Sequence, residues 1–162
     1  MRFQRISFLG RILPKHKGEN IAVELVEEFS EELVEAFSRL IPQLSQSAKQ
    51  LSPQQIKDFC EQDGVYLLVF RSEEGKILGM LSLATFKIPT GKRAWIEDVV
   101  VDAAARGQGA GQKLVEAAVC HAKKVGAKTV DLTSRPSREA ANRLYRRCGF
   151  KQRETNVYRY AD

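Results

Sequence analysis

The stretch VVVDAAARGQGAGQKL, residues 99–114, decides the fold. Three β-branched residues end in Asp102, three alanines follow, and Gly107, Gly109 and Gly111 come in quick succession before an apolar pattern of helical period. Val99 to Val101 suit a buried strand. From about Gly109 to Lys124, Leu114, Val115, Ala118, Val119 and Ala122 mark an amphipathic helix, and Gly126 is placed to end it. Glycines let a backbone turn tightly and admit a ligand where a Cβ would stand. The unpaired amides and the dipole at a helix start attract anions. Arg106 to Gly111 therefore read as an anion-binding loop between strand and helix.

Three simpler readings of that loop compete. A Walker-type loop needs Gly-Lys followed by Ser or Thr, but Gly111 is followed by Gln112 and Lys113, so no hydroxyl is present for Mg²⁺. A dinucleotide loop needs G-x-G-x-x-G; this one is G-x-G-x-G, although Asp131 lies about 20 residues on, where that pattern wants an acid. A glycine-rich turn without a ligand is the third.

Working outward, Arg93 to Asp102 forms a central-strand candidate. Before it, Ile77 to Phe86 and Tyr66 to Phe70 read as strands, broken at Glu74–Gly75 and at Pro89–Thr90–Gly91. Ser52–Pro53–Gln54–Gln55 is a capped helix start, with Gly64 as its end. Ser30 begins an earlier helix that Pro42 stops, and Ile21 to Val26 is a first strand. After the loop, Lys128 to Thr133 is a strand and Ser137 to Arg147 a helix stopped by Gly149. Short strands are expected near Phe150 and at Val157–Tyr160. Hairpin strands followed by a strand–helix–strand crossover predict an α+β fold: a mixed, mostly antiparallel central sheet flanked by helices.

The 162 residues suit one domain. Residues 1–20 read as a basic N-terminal arm or an extension of the first strand, and 21–162 as a single domain. Hydrophobic content of 43% and charged content of 28% exclude a disordered or fibrous chain. A formal charge of +6 either attracts polyanions, whether nucleic acid, an anionic membrane or a phosphorylated cofactor, or is simply a solvated basic surface. Cys60, Cys120 and Cys148 are odd in number and lack metal-ligand spacing, so neither a disulfide framework nor a metal site is expected; reduced thiols make a cytoplasmic location the default. No apolar run reaches the roughly 18 residues of a membrane span. Aromatic content of 8% with no aromatic–basic repeat argues against nucleic acid as a partner. Cys148 has no activating neighbour in sequence, and His16 and His121 read as surface or helix residues.

The segment from Val99 to Gly111 resembles the central motif of the GNAT superfamily of N-acyltransferases, in which R/Q-x-x-G-x-G/A binds coenzyme A. Arg106, Gly109 and Gly111 occupy its defining positions. Downstream, AANRLYRRCGF, residues 140–150, resembles the superfamily's helix bearing a tyrosine before Gly-Phe, although Arg138 stands where the family often has Asn. The resemblance implies direct acetyl transfer from acetyl-CoA to a primary amine of a small molecule or protein, without a metal. It implies that Val99 and Val101 offer backbone to the pantetheine arm, and that Arg106, Gly107, Gln108, Gly109, Ala110, Gly111 and Gln112 hold the pyrophosphate, with Asn142 as a further cofactor contact.

Two proton-transfer roles follow from the resemblance. Tyr145 would protonate the leaving thiolate, its alternative being a packing tyrosine. Glu97 or Asp98 would take the amine proton; strand alternation puts the two on opposite faces and gives Glu97 the parity of Val99 and Val101. Either acid could instead be structural, paired with Arg93 or Lys92. A non-catalytic acyl-CoA-binding regulatory module is the alternative to an enzyme. Terminal strands in this fold can pair between subunits, which leaves a homodimer open. The early helices, residues 40–51, 87–93 and the tail from Glu154 would choose the acceptor.

Overall fold

The computed structural model describes residues 22–161. The N-terminal arm expected over 1–20, and Ile21 at the start of the first strand, lie outside these described residues.

The chain runs β1 (Ala22–Leu25), α1 (Glu31–Leu44), α2 (Pro53–Glu61), β2 (Val65–Arg71), β3 (Ile77–Ile88), β4 (Gly91–Val101), a 3₁₀ turn (Ala103–Ala105), α3 (Ala110–Lys124), β5 (Thr129–Asp131) and α4 (Glu139–Arg147). The strands form one sheet in the order β1-β2-β3-β4-β5. The first three pairings are antiparallel and β4–β5 is parallel. The predicted mixed, mostly antiparallel sheet is thus the observed one.

Local chemistry explains most boundaries. The start of α2 is a capping box: Ser52 Oγ accepts from the Gln55 amide at 3.2 Å and Gln55 Oε1 accepts from the Ser52 amide at 2.8 Å. That helix ends at Glu61, short of Gly64. Pro42 does not stop α1, which continues to Leu44. So close to the C-terminus a proline removes only its own N–H, and the Ser45 amide still closes the turn on Ile41 O at 3.0 Å. The strands expected near Phe150 and at Val157–Tyr160 are not formed. Strand formers need a partner edge, and here Val157, Tyr158 and Tyr160 stand 73%, 88% and 92% exposed.

Each face of the sheet carries a core. On one, α3 packs Leu114, Val115 and Ala118 against Leu68, Phe70, Leu81, Leu83, Ala94 and Ile96, with Leu144 and Tyr145 of α4 added at the side. On the other, α1 and α2 bring Leu33, Phe37, Leu40 and Ile56 against Leu67, Val69, Met80 and Val100. Alternation along β2 explains the split, since Leu68 and Phe70 serve one core and Leu67 and Val69 the other.

His121 is a helix residue as expected, but it is buried: its ring lies edge-on to Tyr66 at 4.3 Å and its Nε2 has no hydrogen-bond partner among the described residues. Burial, aided by Lys124 and Lys92, holds its pKa below the ordinary value. The unfolded chain therefore takes up a proton near pH 6.5 that the folded chain resists, so stability falls as pH drops from about 6.5 towards the lower folded pKa. In urea titrations between pH 7 and 5, the wild-type midpoint should fall, whereas His121→Met should show a flatter profile. Parallel profiles for the two proteins would dismiss this role.

Candidate active site

The glycine loop is built from a fixed start. Asp102 directly follows β4, is buried, and caps the 3₁₀ turn by accepting from the Ala104 amide at 3.0 Å. Ala105 is fully buried and anchors the turn. Beyond it, Arg106, Gly107, Gln108 and Gly109 are exposed. Gly107 and Gly109 have φ of +80° and +74°, and a Cβ on either would meet nothing within 4 Å. Their left-handed backbone demands glycine, and the space beside them is open rather than filled by protein. Gly109 caps α3, so the amides of Ala110, Gly111 and Gln112 form a helical first turn with no intrahelical acceptor. Open glycines and orphan amides at the positive end of a 15-residue helix form a cradle that fits an anion. The Gln112 side chain is engaged with Glu116 at 2.8 Å, leaving its backbone for a ligand. Gly111 has a packing reason as well, since a Cβ there would stand 2.9 Å from Leu144 Cδ1 of α4.

Beside the loop the sheet is split. β4 and β5 pair only at Arg93↔Thr129, Ala94↔Val130 and Trp95↔Asp131; β5 then ends while β4 continues to Val101. From Ile96 on, the β5 side of β4 has no neighbouring strand among the described residues, so Val99 and Val101 lie beside a gap open to strand addition.

The alternation expected along β4 does not hold. Met80 pairs with Val100 but Ser82 pairs with Glu97, so one residue of β3 faces two of β4. This is a bulge at Asp98–Val99, and Asp98 adopts φ +52°, the one non-glycine residue with positive φ among the described residues. The extra residue exchanges faces. Ala94 and Ile96 before it and Val99 and Val101 after it all serve the α3 core. Glu97, next to Ile96 and opposite Ser82, therefore faces the α1–α2 side, away from Val99 and Val101 despite shared parity. Trp95 confirms its direction by donating from Nε1 to Glu97 Oε1 at 2.8 Å.

Tyr145 comes from the other face. It packs against the α3 core and lies edge-on to Phe150 with ring centroids 6.1 Å apart. Burial pushes its phenol pKa up; Arg138 opposes this, while Cys148 and the Glu97 carboxylate add to it. The charge of Glu97 is thus felt at the Tyr145 phenol, although the two side chains start from opposite faces of the sheet. A groove of about 1290 Å³ between β5, α4 and the C-terminal tail is lined by both Trp95 and Tyr145.

Asn142 is tied down locally, donating from Nδ2 to Arg135 O at 3.0 Å. It steadies the β5–α4 connection, and its side chain is already engaged. Burial raises the Cys148 thiol pKa, contrary to what a nucleophilic thiolate needs. Neither Lys92 nor Arg93 pairs with Glu97 or Asp98: Lys92 donates to Val125 O and Arg93 to Thr129 Oγ1. Among the described residues no group of three or more His, Cys, Asp and Glu could hold a metal, and no helix is long and apolar enough to cross a membrane.

Two residues of the site carry no local signal in the sequence. Arg39 of α1 pairs with Asp102 and donates to Ile77 O at 2.6 Å, while Gln43 Oε1 accepts from the Ala103 amide at 3.1 Å.

A five-stranded sheet split beside β4, with an anion cradle at the start of the following helix, is an acyltransferase-type arrangement, and comparison with known proteins agrees. The chain belongs to the acetyltransferase (GNAT) family, whose model matches residues 26–150. Glucosamine 6-phosphate N-acetyltransferase 1 of Oryza sativa subsp. japonica is 37% identical over 70 residues, 43% of this chain and 41% of that protein; the matched part thus spans about two fifths of the relative's length. A putative acetyltransferase from Agrobacterium tumefaciens str. C58 superimposes with a TM-score of 0.75 over 85% of this chain and 99% of its own, at 24% identity. A Trypanosoma brucei acetyltransferase does so at 0.69, over 87% and 99%, at 26% identity.

Proposed function

We propose that this protein is an N-acetyltransferase that moves an acetyl group from acetyl-CoA directly to a primary amine. The observation that carries the reading is the anion cradle at the start of α3 lying next to the stretch of β4 that β5 leaves unpaired; the family resemblance adds Glu97 as base and Tyr145 as acid.

Acetyl-CoA supplies an acyl group already activated as a thioester. The amides from Gly107 to Gln112 hold its pyrophosphate, with Arg106 adding positive charge, and the backbone of Val99 and Val101 lines the arm. Glu97 takes a proton from the amine, directly or through water, so that the nitrogen lone pair is free to form the new C–N bond. As the C–S bond breaks, Tyr145 gives its proton to the sulfur. Its raised pKa keeps the phenol protonated at neutral pH, so a proton is in place as negative charge develops on the sulfur. Glu97 releases its proton to solvent, and the second proton, lost by the nitrogen as the amide forms, replaces the one Tyr145 gave to sulfur, so the net release is one proton per turnover and the site is restored.

The amine acceptor is sought first among amino sugars, since the relative matched over 70 residues is named for glucosamine 6-phosphate. The test is an assay of coenzyme A release against a panel of amino sugars, small amines and peptide amines, with Glu97→Gln as the impaired control. Release that depends on one amine class is the expected result. Tight binding of coenzyme A with no turnover on any amine would favour a non-catalytic acyl-CoA-binding module instead.

A further inference from the structure

The glycine loop is open where it must meet a ligand, and its own hydrogen bonds run back to the turn before it: Gln108 donates from its amide to Ala105 O at 3.4 Å and from Nε2 to Ala104 O at 3.3 Å. Gly107 and Gly109 have nothing within 4 Å of a built Cβ, and glycine leaves the backbone more freedom than any other residue. Its shape is therefore set by its two ends. One end is α3. The other is the turn Asp102–Ala105, and that turn is gripped from across the molecule by one face of α1.

The grip has five hydrogen bonds. Arg39 reaches over 63 positions of sequence to pair with Asp102 Oδ2. Its second amino group donates to Ile77 O at 2.6 Å, so one guanidinium ties the end of β4 to the start of β3. One helical turn on, Gln43 Oε1 accepts from the Ala103 amide at 3.1 Å. Asp102 uses its other oxygen on the Ala104 amide and its own amide on Leu78 O, at 3.0 and 2.8 Å. The backbone bond to Ala104 and the charge of Arg39 together outweigh burial and lower the Asp102 pKa, so the carboxylate stays ionised at neutral pH. Two consecutive amides of the turn, Ala103 and Ala104, are thus satisfied by side chains, and the Gln108 amide bonds back to Ala105 O at 3.4 Å, leaving the first-turn amides of Ala110, Gly111 and Gln112 for a ligand.

We propose that Arg39 and Gln43 are positioning residues for the cofactor loop: α1 holds the turn at 102–105 so that the amides of 110–112 converge before any ligand arrives. The inference rests on the acetyl-CoA reading for its consequence, but the preorganisation itself can be read without ligand. A loop already in its binding shape loses less entropy on binding, which lowers the KM for acetyl-CoA and leaves the acceptor KM untouched.

Trypsin supplies the ligand-free probe, because the exposed Arg106–Gly107 bond lies in the loop. Gln43→Met removes the acceptor for Ala103 at nearly constant volume on an exposed helix position. Arg39→Lys keeps the charge but loses the fork that reaches Asp102 and Ile77 O together. In both variants, cleavage after Arg106, mapped by mass spectrometry, should speed up. The KM for acetyl-CoA should rise by about three- to tenfold, the factor one net hydrogen bond represents. The acceptor KM should stay put, and kcat should fall less than KM rises. Thermal melts establish that each variant is folded; Gln43→Met keeps the test available should Arg39→Lys prove unstable. Loop cleavage and acetyl-CoA KM both within twofold of wild type in folded Gln43→Met would overturn the proposal. A merely structural role would lower melting temperature and active fraction while leaving that KM unchanged, and would equally count against it. If coenzyme A fails to protect the wild-type loop from trypsin, the acetyl-CoA reading fails, while the ligand-free cleavage rates still decide the anchor.

Discussion

Tyr145→Phe should lower kcat by about 10²–10⁴-fold, the range a positioned general acid supplies. The substitution removes one oxygen and keeps the ring, so the edge-on contact with Phe150 and the packing against the α3 core persist. Acetyl-CoA should therefore bind about as well as before, and the loss should fall on kcat. The pH profile separates this from a packing effect. Burial raises the phenol pKa above its ordinary value of 10.0, so the acid is in its working, protonated form through neutral and mildly alkaline pH. Wild-type activity should decline only once pH passes the raised value, and the variant should lack that decline. A variant with kcat within about threefold of wild type would leave sulfur departing without Tyr145.

Glu97→Gln should have a comparable effect, concentrated at low pH. An amine of pKa about 10.4 is neutral in roughly one molecule in 2,500 at pH 7, a cost of about 4.6 kcal/mol that a base offsets in part. With Gln at 97 the rate should fall by about 10²–10⁴-fold near neutrality and recover as pH approaches the amine's own pKa, where deprotonation no longer needs help. Asp98→Asn is the matched control. Asn tolerates the left-handed backbone that φ +52° requires, so the bulge survives and only the second carboxylate is lost. Steady-state rates from pH 6 to 10 on all three proteins decide the matter. If Asp98→Asn suffers the larger loss, the roles of the two acids are reversed.

What could be read from the sequence was what chemistry encodes within a few residues. Ser52 and Gln55 announce their capping box, and the strand–glycine–helix order around Val101 to Leu114 needs no distant partner to be recognised. The assignment of Glu97 to a face failed for a different reason. A bulge is a property of two strands in register, and nothing in residues 96–100 alone says that β3 will supply one residue to their two. Arg39 and Gln43 escaped notice because their partners lie 63 and 60 positions away. The tail erred in the opposite direction: Val157, Tyr158 and Tyr160 have the composition of a strand, but composition supplies no neighbour to pair with.

The joint between β4 and β5 has a consequence for how the chain assembles. β3 and β4 meet across the tight turn at Pro89–Thr90, so their ladder can zip from a nearby nucleus. Arg93 and Thr129 meet only after 36 positions have been brought round through α3, and the ladder that rewards the closure has three parallel pairs. Loop-closure entropy places such contacts late in folding, and short parallel ladders are the weaker kind. The seam that closes last on the folding path is thus the one that first unzips under local fluctuation, and in amide hydrogen exchange Thr129 to Asp131 should lose protection before β2 and β3 do.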